Sequence, residues 1–223
     1  YSNSNTNPNA VGNWYTGTNG TGLNPSNFTT ATDNFIVQNG DTYTANADWS
    51  ITGDLQIETG GELVTGANTV SINLVSDIDG TLTVSNSGTY DCNGLSDIDG
   101  TVSIGTGTYD ADGEFNANSG DVTFTAAGNL ILSNTVTDLG SFTKSSGTVT
   151  YDQAGGQSID NVEYNNLILS GSGNKTVQGS HGVSGVLTVS SGPTLVVSNS
   201  GHKLTVASIT HNNGGSITIS DGE

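Results

Sequence analysis

The chain has 223 residues, with 21 acidic side chains against three lysines and no arginine, which gives a formal net charge of −18. Such a surface repels nucleic-acid phosphates and anionic lipids, and no apolar run is long enough to cross a bilayer. We therefore expect neither nucleic-acid binding nor membrane insertion. A single cysteine, Cys92, precludes an internal disulfide and is interpreted as a small buried apolar residue.

Residues 1–50 differ from the rest of the chain because they lack its regular spacing and hold both tryptophans, Trp14 and Trp49. We predict that this segment contains the first strands and a cap over the first turn of a repeat structure, since the end of a repeat array needs a cover. Phe28 and Phe35 are expected to pack with the two indoles. A sugar-stacking platform is the alternative for these aromatics, and Trp14 and Trp49 are also candidate self-association residues.

Internal repeats dominate residues 51–223, which are predicted to form one continuous domain. Ser76–Thr81 returns unchanged as Ser96–Thr101, and Gly88–Asp91 returns as Gly107–Asp110, so the repeat length is 20 or 19 residues. Short runs that follow a glycine alternate polar with apolar residues, as half-buried strands do. Gly, Asn, Asp and Ser separate these runs and are expected to supply turns and positive φ angles.

These patterns predict an all-β fold, a right-handed parallel β-helix (β-solenoid) of about 20-residue coils with an N-terminal cap. A β-sandwich is the alternative, but its strands need not resemble each other in sequence. The predicted core is a column of apolar side chains from successive coils. Its members include Leu82, Val84, Val102, Ile104, Val122, Phe124, Val149, Leu167, Leu169, Leu187, Val189, Ile217 and Ile219.

Aspartates recur at what we expect to be the corners of the coils. Asp77 and Asp79 would stack on Asp97 and Asp99 at one corner, and at a second corner Asp91 would stack on Asp110 and Asp112. Because stacked like charges repel, Ca²⁺ bound between the coils would turn repulsion into coordination. Turn hydrogen bonding by Asp is the alternative, and neither the helical Ca²⁺ loop nor the glycine–aspartate nonapeptide repeat is present. Ca²⁺ is therefore a hypothesis, and no other cofactor is expected.

Other chemistry receives less support from the residues. Enzymes that cut acidic polysaccharides need cationic side chains, and for neutral sugars any pair of aspartates on adjacent coils would be unspecific, so we expect no enzyme activity. His181, His202 and His211 are interpreted as solvated turn residues rather than a metal site. An ice-binding face is a further alternative. It would be built from Thr-x-Thr or Thr-x-Ser runs at residues 81–83, 101–103, 123–125 and 148–150.

The last strand, around Ile217 and Ile219, has no polar cover after it in the sequence. Uncovered strand edges pair with other chains, so this edge is the second candidate self-association site. Head-to-tail stacking of copies, or of further repeats of the same protein, would extend without closing. The expected partner is therefore the protein itself, and surface glycans are the alternative partner.

Two parts of the sequence carry a family resemblance. Residues 147–151 (GTVTY), 156–159 (GQSI) and 164–177 (YNNLILSGSGNKTV) resemble the repeats of large bacterial surface and secreted proteins exported by type IX secretion. Residues 12–14, 33–37 and 39–43 are similar to the N-terminal caps of those proteins. The resemblance implies a parallel β-solenoid, an extracellular or cell-surface location and a role as an adhesin or stalk. It transfers no catalytic residues.

Overall fold

A computed structural model describes residues 1–4, 6–197 and 201–219. The chain forms a parallel β-solenoid of about nine turns, with roughly 20 residues in each coil. The only helix in the described part is a 3₁₀ turn, Val11–Asn13. The predicted all-β solenoid is therefore confirmed.

The described residues of the solenoid contain twenty-five short strands. In chain order they are β1 (Asn34–Val37), β2 (Thr42–Thr44), β3 (Trp49–Ile51), β4 (Asp54–Ile57), β5 (Glu62–Val64), β6 (Thr69–Ile72), β7 (Ser76–Ile78), β8 (Thr81–Val84), β9 (Thr89–Cys92), β10 (Ser96–Ile98), β11 (Thr101–Ile104), β12 (Thr108–Ala111), β13 (Phe115–Asn116), β14 (Asp121–Phe124), β15 (Asn129–Leu132), β16 (Val136–Asp138), β17 (Ser141–Thr143), β18 (Thr148–Tyr151), β19 (Gln157–Ile159), β20 (Asn166–Leu169), β21 (Gly173–Val177), β22 (His181–Val189), β23 (Pro193–Val197), β24 (Leu204–His211) and β25 (Ser216–Ile219).

Successive coils stack strand on strand in parallel sheets. The first sheet has the order β1-β4-β7-β10-β13-β16, the second β2-β5-β8-β11-β14-β17, and the third runs along the whole solenoid from β3 to β24. A fourth sheet, β19-β21-β23-β25, continues on the side of the first, since β16 lies next to β19. In the third sheet Thr69 pairs with Thr89 and Thr89 with Thr108, which are steps of 20 and 19 residues.

The core is the column that the alternating pattern predicts. Strands such as β8 and β11 alternate half-buried with buried residues, so every second side chain enters the interior. All members of the predicted core column are buried except the two on the last strand. Ile217 and Ile219 are 40% and 73% exposed. They point to the end of the core, where no further coil lies above them among the described residues.

A hydrogen bond across the interior links the two exact repeats. Tyr109 donates its hydroxyl to Oγ of Ser96 at 3.0 Å, and the hydroxyls of Tyr90 and Ser76 are 2.7 Å apart one coil earlier. All four residues are fully buried. Each buried hydroxyl therefore has a partner, as the interior of a protein requires.

Several glycines at the coil corners are required by close approach rather than by positive φ. A Cβ at Gly100 would lie 2.1 Å from the carbonyl oxygen of Gly80, and one at Gly113 would lie 2.0 Å from that of Gly94. None of these four glycines has a positive φ. At these four glycines the coils meet backbone to backbone, whereas other glycines between strands, such as Gly60 and Gly140, do have the expected positive φ.

The N-terminal segment closes the first coil, as predicted. The rings of Trp14 and Trp49 stack with centroids 5.4 Å apart, and Phe35 meets Trp14 edge-on at 5.2 Å. Phe28 lies 5.8 Å from Trp49 at the rim of this cluster. Because Trp14 and Trp49 are only 1% and 2% exposed, neither indole is available to a sugar or to another chain.

The first two strands, and the residue that follows the third, each have a backbone hydrogen bond to the cap. The Ser2 amide donates to Ile36 in β1, and the Thr44 amide in β2 donates to Thr6. Just after β3, the Thr52 amide donates to Phe28. The cap therefore satisfies backbone groups that a first coil would otherwise leave free.

Candidate functional site

The C-terminal end of the solenoid is an apolar surface bounded by strand edges. Within the described residues, β24 pairs only with β22 and β25 only with β23, so each has one free edge. Ile209, Ile217 and Ile219 are 48%, 40% and 73% exposed there. A groove of about 290 Å³ lies between them, and apolar side chains of Leu187, Leu195, Val197, Leu204 and Val206 line it.

Asp77 and Asp97 lie inside strands, not at a corner. They are register partners on β7 and β10 and point outward from the first sheet. Nε2 of Gln56 donates to Asp77 at 3.0 Å, and Nδ2 of Asn116 donates to Asp97 at 3.4 Å. The sequence expectation of a corner is wrong for this pair, because both aspartates continue the strand alternation.

Partial burial raises the pKa of both carboxyl groups. The surrounding acidic groups add to the effect, from Asp79, Asp97 and Asp99 for Asp77, and from Asp99, Asp79 and Glu114 for Asp97. Asp79 and Asp99 occupy the bends that follow the two strands, and so do lie at a corner. The amide donors on either side therefore relieve only part of the repulsion along this ladder.

A second acidic ladder lies on the outer side of the third sheet. The expected second corner is wrong for its aspartates too, because Asp91 and Asp110 lie within β9 and β12. Asp91 and Asp110 are register partners, and Oγ of Ser71 donates to Asp91 at 3.2 Å. Burial, together with the charges of Asp112, Asp91 and Asp152, raises the pKa of Asp110 to about 6. One buried oxygen of Asp110, Oδ1, has no hydrogen-bond partner. Asp112 follows β12 in a bend and is exposed.

Among residues 1–4, 6–197 and 201–219, no group of three or more His, Cys, Asp or Glu side chains is placed to hold one metal ion. The seven predicted ligands form in-register pairs with neighbours in the bends. A Ca²⁺ ion at either pair would have to take most of its six to eight oxygen ligands from carbonyls and water. Calcium binding therefore stays a prediction.

His181 is buried rather than solvated, which corrects the sequence interpretation. It is 5% exposed, its ring lies edge-on to Tyr164 at 5.4 Å, and neither ring nitrogen has a hydrogen-bond partner. Burial lowers its pKa, although Glu163 and Asp160 oppose this effect. His181 pairs with Leu204 across β22 and β24, so His202 does not stack directly above it.

Lys175 is a buried cation that sequence reasoning missed. Its Nζ donates to the carbonyl oxygens of Gln153 and Gly155 at 2.7 and 3.2 Å and to Oε1 of Gln157 at 3.2 Å. Burial lowers its pKa, and Asp152 opposes the shift. The alternation of β21 places Lys175 at an inward position, and this was the available signal. A lysine at an inward position is, however, normally taken as evidence against a buried strand.

The four predicted Thr-x-Thr or Thr-x-Ser runs do not share one face. Thr81 pairs with Thr101 in the second sheet, and Ser103 pairs with Thr123 there. Residues 148–150 instead belong to β18 in the third sheet. The predicted threonine ladder is therefore divided between two sides of the solenoid.

A shallow groove of about 660 Å³ runs beside β22 and β24. Its lining includes Glu163, Ser180, Ser184, Lys203 and Thr205. Glu163 accepts a hydrogen bond from the Gly182 amide at 3.0 Å and lies 3.6 Å from Lys144. The groove thus presents hydroxyl, carboxylate and ammonium groups together.

The chain matches no protein-family model, no curated protein and no solved structure. In the described residues, no helix is long and apolar enough to cross a membrane. The family resemblance of the repeats therefore has no support from these comparisons.

Proposed function

We propose that this protein is a non-catalytic structural rod, a spacer or adhesive module of an extracellular fibre on the bacterial cell surface. The observation that carries the proposal is the unbroken parallel stacking of the third sheet from β3 to β24. At about 4.8 Å per strand, its nine strands give a rod of about 40 Å.

Surface charge supports the same role. The net charge of −18 keeps rods apart side by side, because like-charged surfaces repel and remain soluble. The sequence resemblance to exported surface repeats agrees with a place outside the cell. A rod with repelling sides and one apolar end can project a partner away from a surface.

Small-angle X-ray scattering and negative-stain electron microscopy of the purified chain test the proposal. We expect rods about 40–50 Å long in each copy, with and without EDTA. Antibodies against the chain are expected to label intact cells. A compact particle of equal dimensions, or labelling only after cell lysis, would contradict the proposal.

Glycan binding is the second candidate function, and the groove beside β22 and β24 favours it. Hydroxyls of Ser180, Ser184 and Thr205 together with Glu163 and Lys203 offer donors and acceptors of the kind that sugars need. A glycan array with the native protein and a Lys203→Ala variant tests it. Binding that the substitution leaves unchanged would exclude this groove.

A further inference from the structure

Two polar side chains interrupt the apolar interior beneath the fourth sheet. Gln157 and Lys175 are register partners on β19 and β21, and both occupy inward positions of their strands. Gln157 is 5% exposed and Lys175 is fully buried, whereas the next residue in the same column is Leu195. Burying a charged group costs free energy, and residues that break the local pattern in this way are expected where they have a chemical role.

Hydrogen bonds hold both groups in one arrangement. Nζ of Lys175 lies 3.2 Å from Oε1 of Gln157, to which it donates. The backbone amide of Gln153 donates to the same oxygen at 3.3 Å. On the other side of the carboxamide, Nε2 donates to the carbonyl oxygens of Leu132 and Asn134 at 2.9 and 2.7 Å. The carboxamide is therefore fixed beside the amine, and two donors face the oxygen on which negative charge would develop during attack at Cδ.

An acidic group lies beside this pair. Asp152 precedes Gln153, whose carbonyl oxygen accepts a hydrogen bond from Nζ of Lys175 at 2.7 Å. Oδ1 of Asp152 is buried and has no hydrogen-bond partner among the described residues. Burial lowers the pKa of Lys175, and the charge of Asp152 opposes this shift. Desolvation thus favours the neutral amine, which is the nucleophilic form, and a carboxylate able to accept its proton is nearby.

We propose that Lys175 and Gln157 form an intramolecular isopeptide bond that joins two successive coils from the inside. Asp152 takes one proton from the ammonium group, and the amine then attacks Cδ of Gln157. The Nζ–Cδ bond forms and the Cδ–Nε2 bond breaks, while Nε2 takes a second proton from Nζ and leaves as ammonia. The ammonia takes the proton held by Asp152 and departs as ammonium, so the reaction needs no oxidant and no other reactant.

The product also removes the unfavourable feature of the present arrangement. The positive charge leaves with the ammonium ion, so the interior no longer holds a buried cation. The new bond joins β19 to β21 and restricts the unfolded chain, as other covalent cross-links do. A covalent link between neighbouring coils goes beyond the proposed role as a rod, because it gives the rod resistance to separation of its coils along the axis.

Mass spectrometry of the purified, denatured 223-residue chain tests the inference. We expect an intact mass that is lower than the sequence mass by one ammonia. The chain has three lysines and no arginine, so trypsin should normally produce separate peptides 145–175 and 176–203. The isopeptide bond blocks cleavage after Lys175, and one peptide spanning 145–203, lighter by one ammonia, should replace them. Fragmentation of this peptide is expected to place the link at Gln157 and Lys175.

Two pairs of variants provide the controls. Lys175→Met keeps a long side chain without the amine and should have its full sequence mass, whereas Lys203→Met, at an exposed lysine, should still lose ammonia. Asp152→Asn should lower the linked fraction of freshly purified protein at least tenfold. Asp121→Asn, at an exposed aspartate, should leave that fraction unchanged. Circular dichroism checks that all four variants are folded.

Three results would overturn the inference. The first is a native chain of full sequence mass that trypsin cleaves freely after Lys175, which would leave only a hydrogen-bonded buried lysine. The second is ammonia loss that persists in Lys175→Met, since it would then come from another site such as the Asn39–Gly40 step. The third is an equal linked fraction in Asp152→Asn and Asp121→Asn, which would refute the proton transfer to Asp152. None of these results depends on the particle shape that tests the proposed function.

Discussion

At the residue scale, a hydroxyl pair inside the core explains why two short repeats recur together. Ser96 and Tyr109 come from the separate repeats SDIDGT and GTYD, yet their oxygens are 3.0 Å apart in the interior. A buried hydroxyl without a partner is costly, so the serine and the tyrosine need each other. Burial also raises the pKa of Tyr109, which keeps the phenol protonated.

The pair leads to a test by double-mutant cycle. We expect Ser96→Ala to lower the free energy of unfolding by about 1–3 kcal/mol, because it leaves the Tyr109 hydroxyl unpaired. Adding Tyr109→Phe should cost less in this background than in the native chain. Urea denaturation measures all four proteins, with the outward-facing Ser103→Ala as a control of about 0.5 kcal/mol or less. Additive costs would show that the two residues are independent.

Asp110 leads to a prediction about pH. Its pKa of about 6 in the folded chain lies above the ordinary value of 3.8, so the folded state binds the proton more tightly. The charged carboxylate therefore costs stability above pH 6, and this cost disappears as the pH falls below about 4. We expect Asp110→Asn to stabilise the chain by about 1 kcal/mol at pH 8, after allowance for solvent screening.

Thermal melts of Asp110→Asn between pH 4 and pH 8 measure the effect. The advantage over the native chain should shrink as the pH falls through 6. Asp121→Asn, an exposed aspartate at the start of β14, is the matched control and should show no comparable change. A stabilisation that is equal at pH 4 and pH 8 would exclude repulsion and burial at Asp110 as the cause.

At the element scale, the cap is the part of the chain that covers the N-terminal end of the core. The Trp14 indole donates to the Pro8 carbonyl at 2.7 Å and contacts the rings of Phe35, Tyr43 and Trp49. These contacts fix the cap segment over the end of the core, where the cap also satisfies the backbone groups of the first strands.

Removing this ring should therefore be costly. We expect Trp14→Ala to lower the free energy of unfolding by about 3–5 kcal/mol, since it deletes a buried aromatic side chain. The variant should also self-associate at its N-terminal end, because loosening the cap exposes β1, β2 and β3. Denaturant unfolding and sedimentation velocity measure the two effects, with Leu23→Ala as the exposed control. A change below about 1 kcal/mol would mean that the cap does not depend on the indole.

At the scale of the whole molecule, the two ends of the rod differ in both charge and cover. The capped N-terminal coils belong to the acidic stretch that runs from Asp33 to Glu163, whereas residues 164–219 contain no Asp or Glu and leave Ile217 and Ile219 exposed. Because both charge and exposure change along the same axis, the surface that a partner meets depends on where along the rod it binds.

Repeats and alternation in the amino-acid sequence were enough to predict the solenoid, its coil length and most of its core. Exact repeats and strict alternation are local properties, and residues such as Leu82 and Val102 enter the core wherever such strands stack. The aromatic cap was also predictable, because Trp14 and Trp49 precede the repeats in the sequence.

Features that depend on contacts between coils could not be predicted from local patterns. Asp77 lies within a strand because the register aligns it with Asp97, and Lys175 is buried because three acceptors from other parts of the chain surround it. His181 is buried although it was expected to be solvated, and Ile217 and Ile219 are exposed although they were expected in the core. Burial at these positions depends on whether another coil lies above them. Local patterns specify which face of a strand is apolar, but the neighbouring coils decide whether that face is covered.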